Sequence, residues 1–378
     1  MELGYLPKAK ITSSSDQGIS ARKLQDLVIY QPRPFSSLEI EITTRCNLFC
    51  PSCPRAVFHR SWLLRDMSLE TFEKAAVVFD QFETIHFRGW GEPLLNPFFP
   101  EMVLRAYQSG ARLVLSTNGV EPINRGLLPY FEAIFFRLDY GRASTYERRN
   151  PEAKFARAIF NISSILHWRD KDRLARPQVV ILFAKNKFSL TELPSYLETA
   201  VRLAPERVVF YQPSFHLRWV DDHGCLPSDL DQGLIQKVDE RLAAMAESYR
   251  IDVVNTPAAE GNCLDGSCGF DRERAVFVDW SGSAAMCRHS ALPVTGGAFR
   301  RYLGGKEYPV ESFLFGSLLK NGLEDIMKTW TYRKYRQACL SQGLTRLDPD
   351  SRPREHKRKG NLIYLDGSVL KSDSCFRQ

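Results

Sequence analysis

The chain lacks an apolar run of about eighteen residues, the length that would span a bilayer. Its first fifteen residues lack both a continuous apolar stretch and a small-residue cleavage site, so the reading expects neither export nor a membrane anchor. It has no internal repeat, and no strong excess of one charge: 51 Lys and Arg stand against 44 Asp and Glu, a formal charge of +7. Spread over 378 residues, that excess reads as solvated surface, which makes a nucleic-acid partner unlikely on composition. The chain is too long for a disulfide-stapled miniprotein. In the cytoplasmic setting these absences imply, its nine cysteines point to metal binding or catalysis rather than to disulfides.

What is present is a regular alternation. Short runs rich in Val, Ile, Leu and Phe fall at Leu38–Thr43, Thr84–Arg88, Arg112–Ser116, Ile134–Asp139, Val179–Ala184 and Val208–Tyr211. Continuous apolar runs suit strands buried on both faces of a parallel sheet. Helical stretches lie between them: one opened by Ser68, then Pro97–Ser109, Phe155–Trp168, Leu190–Leu203 and Leu230–Tyr249. Six strands each followed by a helix predict an α/β chain curved into a partial (β/α)6 TIM-like barrel, with chemistry at the C-terminal strand ends.

The pattern changes after Ile251. Arg274–Trp280 and Ser283–Cys287 around Ser281-Gly282 predict a hairpin, followed by a helix over Leu323–Leu340. Leu362–Leu365 and Val369-Leu370 around Asp366-Gly367 predict another hairpin. The expected division is an N-terminal extension (1–36), a barrel core (37–250), a small α+β domain (251–345) and a basic tail (346–378).

Cys46, Cys50 and Cys53 lie within eight residues, just after the first strand. Three soft thiolates can hold one corner of an iron–sulfur cube and leave one iron open to a small molecule. Spacing alone also leaves open a zinc site or buried free thiols. Structural zinc normally takes four ligands, and no fourth Cys or His is near in sequence.

The Cys-x3-Cys-x2-Cys run resembles the signature of the radical S-adenosylmethionine superfamily. Phe87-Arg88-Gly89-Trp90-Gly91-Glu92-Pro93-Leu94-Leu95-Asn96-Pro97 is similar to that superfamily's GxGEPLLxP segment. Taken alone, Gly-Glu-Pro is an ordinary tight turn; one β/α unit after the cysteines it is specific. Ser116-Thr117-Asn118-Gly119 resembles the superfamily's STNG element. Arg137-Leu138-Asp139-Tyr140-Gly141 resembles a further element, with Arg137 where Ser is usual and Tyr140 inserted.

The resemblance implies a [4Fe–4S] cluster on Cys46, Cys50 and Cys53. It also implies an S-adenosyl-L-methionine pocket at Gly89, Gly91, Glu92, Thr117, Asn118 and Asp139, with Glu92 able to offset a ligand's ammonium charge. Implied too is reductive cleavage of S-adenosylmethionine to a 5′-deoxyadenosyl radical that abstracts hydrogen from substrate, fed by a donor such as flavodoxin or ferredoxin. Cys268, Gly282 and Cys287 resemble the start of a SPASM or twitch extension, but the Cys-x-x-Cys pair that normally ends it is missing. One auxiliary cluster on Cys263, Cys268 and Cys287, with a distant fourth ligand such as Cys375, remains open beside a metal-free or zinc-holding domain. Cys225 in the loop Asp221–Ser228 is the candidate hydrogen donor to a product radical, against an ordinary loop cysteine.

The expected function is oxidation, epimerisation or decarboxylation of a small sugar, nucleoside or other natural product. Only about thirty-six residues precede the barrel, few for a fused peptide-binding domain. Modification of a ribosomal peptide is the alternative, and a non-catalytic metal scaffold or electron carrier is the alternative from another class.

Overall fold

Strand β1 (Phe35–Ile40) is buried along its whole length and sits inside a ten-stranded sheet. The computed structural model describes residues 33–150, 152–185, 190–211, 217, 240, 243–244, 247–248, 252–255, 274–296, 298–303, 306–333, 362–365 and 368–371. From β1 the sheet runs in chain order through β2 (Phe82–Phe87), β3 (Arg112–Thr117), β4 (Phe131–Arg137), β5 (Gln178–Ala184), β6 (Arg207–Tyr211) and β7 (Val253–Asn255). Every one of these pairings is parallel. The helices between them are α1 (Pro54–Val57), α2 (Leu69–Ala76), α3 (Phe99–Tyr107), α4 (Ala143–Arg149), α5 (Phe155–Lys171) and α6 (Leu193–Leu203). The predicted α/β partial barrel is therefore the observed fold class. Among the described residues no helix is long and apolar enough to cross a membrane.

Local signals account for the elements. Ser68 caps α2, its hydroxyl oxygen accepting the Thr71 N–H at 3.1 Å. Helix α3 ends before Gly110, which takes a left-handed φ of +70°. Each buried strand sends alternate residues to opposite faces. Leu38, Ile40 and Ile42, with Ile85 and Phe87, pack toward the helices. The other face carries Glu39, Glu41, His86 and Arg88 on the β1–β2 side and a smaller apolar cluster of Val114, Phe135, Val180, Leu182, Val209 and Tyr211 toward β6. Glu39 and Arg88 form a buried ion pair at 3.2 Å.

The hairpin predicted near Ser281-Gly282 forms as β8 (Ala275–Val278) and β9 (Ser283–Ala285), antiparallel, with Gly282 at φ +80°. It does not stand apart. Strand β8 pairs parallel with β1, and β9 continues to β12 (Leu314–Ser317), so the barrel's own sheet is extended past its first strand. A separate antiparallel pair, β10 (Ala298–Leu303) and β11 (Lys306–Glu311), had no sequence expectation. The predicted helix after Leu323 is described as α7 (Leu323–Lys328) and a further turn to residue 333. The last hairpin forms as β13 (Leu362–Leu365) and β14 (Ser368–Lys371). The helix expected over Leu230–Tyr249 lies largely outside the described residues.

Candidate active site

The cysteine loop leaves β1 and closes on itself. The Cys53 N–H donates to the Cys50 oxygen at 3.0 Å, and Cys53 is the N-cap of α1, whose N1 position is Pro54. Arg55 clasps the loop from inside, donating to the main-chain oxygens of Cys46 (2.9 Å) and Leu48 (3.0 Å). Its guanidinium lies 5.5 Å from the centre of the half-exposed Phe49 ring. Cys46, Cys50 and Cys53 are free thiols, partly exposed yet crowded by protein on most sides.

The three thiols are close enough to repel one another as thiolates. Burial pushes Cys46 up to about 12, with Glu92 and then Cys53 adding to it. Cys50 is driven up by burial and by Cys53. Cys53 is also raised by burial, partly offset by the main-chain N–H groups of Arg55 and Ala56 at the start of α1. Each thiol is costly as an isolated thiolate, a cost that the positive charge of a metal held by these soft donors would offset.

Glycine is required in the turn after β2. A Cβ on Gly91 would lie 2.2 Å from the Thr43 oxygen and 2.6 Å from the Arg45 oxygen, so the turn presses directly on the chain entering the cysteine loop. The Glu92 N–H completes that contact, donating to the Arg45 oxygen at 2.7 Å. A Cβ on Gly89 would meet the Glu41 side chain at 2.4 Å.

The Glu92 carboxylate is buried and committed to protein donors. Its Oε1 accepts from the Thr117 hydroxyl (2.8 Å) and the Leu94 N–H (3.3 Å), and its Oε2 accepts from the Asn118 N–H (2.8 Å). Burial nevertheless pushes its carboxyl up to about 7. Glu92 thus braces the turn against the end of β3. Asn118 continues the brace: its Nδ2 donates to Asn47 Oδ1 at 2.7 Å and lies 3.8 Å from Cys46 Sγ. The structure therefore brings Cys46, Gly91, Glu92, Thr117 and Asn118 together in one network, and the turn from Cys50 to Cys53 joins it through the Arg55 clasp on Cys46.

Asp139 stands beyond β4, near the Cys50 side of the site. It is held by the Arg137 guanidinium at 2.8 Å and by the Ala184 N–H at 3.3 Å. Cys287 is buried at the end of β9, capping a short turn over Arg288–Ser290. Cys225, Cys263, Cys268 and Cys375 lie outside the described residues. Among the described residues no group of three or more His, Cys, Asp or Glu, Cys46, Cys50 and Cys53 included, stands in the arrangement of a closed metal site.

Three participants were not assigned from sequence. Arg55 gives no signal beyond its place after Cys53-Pro54. Asn47 gives none. Glu41 does: with Glu39 it puts two acidic residues into the expected first strand, Leu38–Thr43, and in the fold it is buried with Oε1 accepting the Trp90 N–H at 2.6 Å. Its Oε2 has no hydrogen-bond partner among the described residues, and burial pushes the carboxyl up to about 8.

The mostly parallel α/β fold is shared with solved structures of SuiB and anSMEcpe, both with S-adenosylmethionine bound. Among solved structures the chain is similar to Streptococcus suis SuiB, with a TM-score of 0.56 at 13% identity over 82% of this chain and 71% of that one. SuiB is also known bound to S-adenosylmethionine and to its precursor peptide SuiA. Native anSMEcpe with bound AdoMet and the Kp18Cys peptide gives 0.56 at 12% identity, over 80% of this chain and 83% of that chain. Among curated proteins it is similar to a tungsten-containing aldehyde ferredoxin oxidoreductase cofactor-modifying protein of Pyrococcus furiosus, 24% identical over 326 residues, which span 79% of this chain and 81% of that protein. No family model matches the chain.

Proposed function

We propose that the chain is a radical S-adenosylmethionine enzyme acting on a small organic molecule. The observation that carries this reading is the contact between the two motifs: Glu92 is bonded to Asn118, and Asn118 lies against Cys46. Cys46, Cys50 and Cys53 would hold a [4Fe–4S] cluster, with Arg55 and Asn118 fixing the loop and one thiol. The Gly89–Gly91 turn would take the methionyl group of S-adenosylmethionine, Glu92, Thr117 and Asn118 brace that turn, and Asp139 would meet the ribose. When bound, the cluster supplies the electron that cleaves S-adenosylmethionine and so generates the radical that takes hydrogen from substrate.

A small-molecule substrate is supported by the curated relative, whose name describes the modification of a cofactor. Modification of a peptide is the second reading, favoured by the peptides bound to SuiB and anSMEcpe. The proposal extends to a barrel core over 37–250 followed by a smaller domain over 251–345, and to a cytoplasmic enzyme reduced by a flavodoxin or ferredoxin. It includes an auxiliary cluster using Cys263, Cys268 and Cys287, and Cys225 as hydrogen donor.

The test is anaerobic reconstitution with iron and sulfide, then dithionite and S-adenosylmethionine. Release of 5′-deoxyadenosine is expected. A fully loaded, reduced protein that releases none would be a metal scaffold or electron carrier. Iron per chain reports whether a second cluster forms.

A further inference from the structure

Trp90 stands between the two glycines of the cofactor turn, and two distant parts of the chain hold it. Its main-chain N–H donates to Glu41 at 2.6 Å, while its indole Nε1–H donates to the main-chain oxygen of Arg288 at 3.0 Å. The Arg288 guanidinium lies 5.4 Å from the indole centre, and the His289 ring lies 5.5 Å from it.

Arg288 and His289 open a segment that leaves β9 at Cys287. The same segment grips the chain just past the cysteine loop. The Leu63 N–H donates to the Pro293 oxygen (2.8 Å), and the Thr295 N–H donates to the Ser61 oxygen (3.0 Å). Trp62 and Val294 form an antiparallel bridge, and Phe58 meets Phe299 edge-on at 5.9 Å. Leu292 and Phe299 are buried there, with Val57, Phe58, Trp90 and Val294 packed against them. The described residues between 287 and 299 therefore form a strap that touches both the exit of the cysteine loop and the cofactor turn.

Glycines leave a turn conformationally free, and neither Gly89 nor Gly91 has a side chain to anchor. Glu92 anchors the turn on one side, and Trp90, between the glycines, supplies a second anchor. We propose that Trp90 is a positioning residue: through its indole the 287–299 strap sets the Gly89–Gly91 turn and with it the affinity for S-adenosylmethionine. The proposal rests on the functional reading above, which places S-adenosylmethionine at that turn. It adds that the segment rooted at Cys287 acts on cofactor binding mechanically, without touching the cofactor.

The test compares wild type with Trp90→Phe, which keeps a ring but loses the donor, Trp90→Ala, and His289→Ala. Two readouts are taken: amide hydrogen exchange on metal-free protein, and KM for S-adenosylmethionine against kcat for 5′-deoxyadenosine release. Losing one hydrogen bond should raise KM in Trp90→Phe by about three- to tenfold, with kcat within about twofold. His289→Ala should shift KM in the same direction and by less. In Trp90→Ala, exchange at the Leu63 and Thr295 amides should quicken by about tenfold. Unchanged exchange and unchanged KM in Trp90→Ala, or a fall in kcat alone, would overturn the proposal. If Trp90→Ala does not fold, Trp90→Phe decides by the same criteria. If the wild type releases no 5′-deoxyadenosine, the functional reading fails. The metal-free exchange comparison then still decides for or against coupling through Trp90.

Discussion

The Glu92 carboxylate and the main-chain N–H of Asn118 meet at 2.8 Å, and the Asn118 amide lies 3.8 Å from Cys46 Sγ. A disturbance at the glycine turn therefore reaches a thiol through two residues. Glu92→Ala strips the Thr117 hydroxyl and the Leu94 and Asn118 N–H groups of their acceptor. The expected loss is about 3 kcal/mol of folding stability, from several buried donors left unmet. Glu92→Gln should lose less, because one oxygen remains to accept. Urea unfolding of the metal-free chains measures both, and iron retained per chain should fall in the same order.

At Gly91 there is no room for a single carbon. Gly91→Ala must move either the turn or the chain at Thr43 and Arg45. Overpacking against backbone should cost about 1–3 kcal/mol and abolish 5′-deoxyadenosine release. A variant with wild-type stability and turnover would mean that the turn is not held where the structure puts it.

Stability should fall as pH rises from mildly acidic to mildly basic. Burial raises Glu92 from 4.5 to about 7 and Glu41 from 4.5 to about 8. The folded chain thus holds these protons more tightly than the unfolded chain. Their contribution is complete below pH 4.5 and drains away as pH climbs to about 7 for Glu92 and about 8 for Glu41. The slope is at most about 1.4 kcal/mol per pH unit for each group. Denaturation of metal-free protein across this window measures it. Glu41→Gln should flatten the part of the curve above pH 7; a curve that keeps its slope there would show that Glu41 does not titrate as described.

Cys46→Ala, Cys50→Ala and Cys53→Ala should each reduce bound iron after reconstitution to little or none. Arg55→Ala should bind iron but release it faster. Two hydrogen bonds from a charged donor close the loop, so chelator-driven loss should speed up by at least about tenfold. Iron assays over time separate the two behaviours. Equal release rates in Arg55→Ala and wild type would remove Arg55 from the site.

The six parallel strands were legible because each is a short run rich in Val, Ile, Leu or Phe, and the later ones are nearly continuous apolar runs, the mark of burial on both faces. Their limits were less so. The first strand was expected over Leu38–Thr43, and its ladder is Phe35–Ile40. Residues 41–43 stay partly extended but take other partners: the Glu41 N–H bonds to Val278, the Met67 N–H bonds to Ile42, and Thr43 bridges Asp66. Such pairings depend on chain that arrives from far away. The cysteines and the Gly-Glu-Pro turn could be read because their spacing is local. The clasp by Arg55, the brace through Asn47 and the seat of Trp90 on Arg288 could not, since each joins residues whose nearness only the folded chain creates. Glu92 shows a second limit. Sequence suggested a charge presented to a ligand, whereas both its oxygens accept hydrogen bonds from the protein.

The addition of β8 alongside β1 carries a practical consequence for dissecting the protein. Truncation ahead of residue 274 would strip the strand that feeds the cysteines of a neighbour and bare a row of main-chain N–H and C=O groups. Unprotected borders of that kind recruit other chains. A fragment ending there should precipitate or self-associate on expression, whereas one that retains β8, β9 and β12 should stay dispersed.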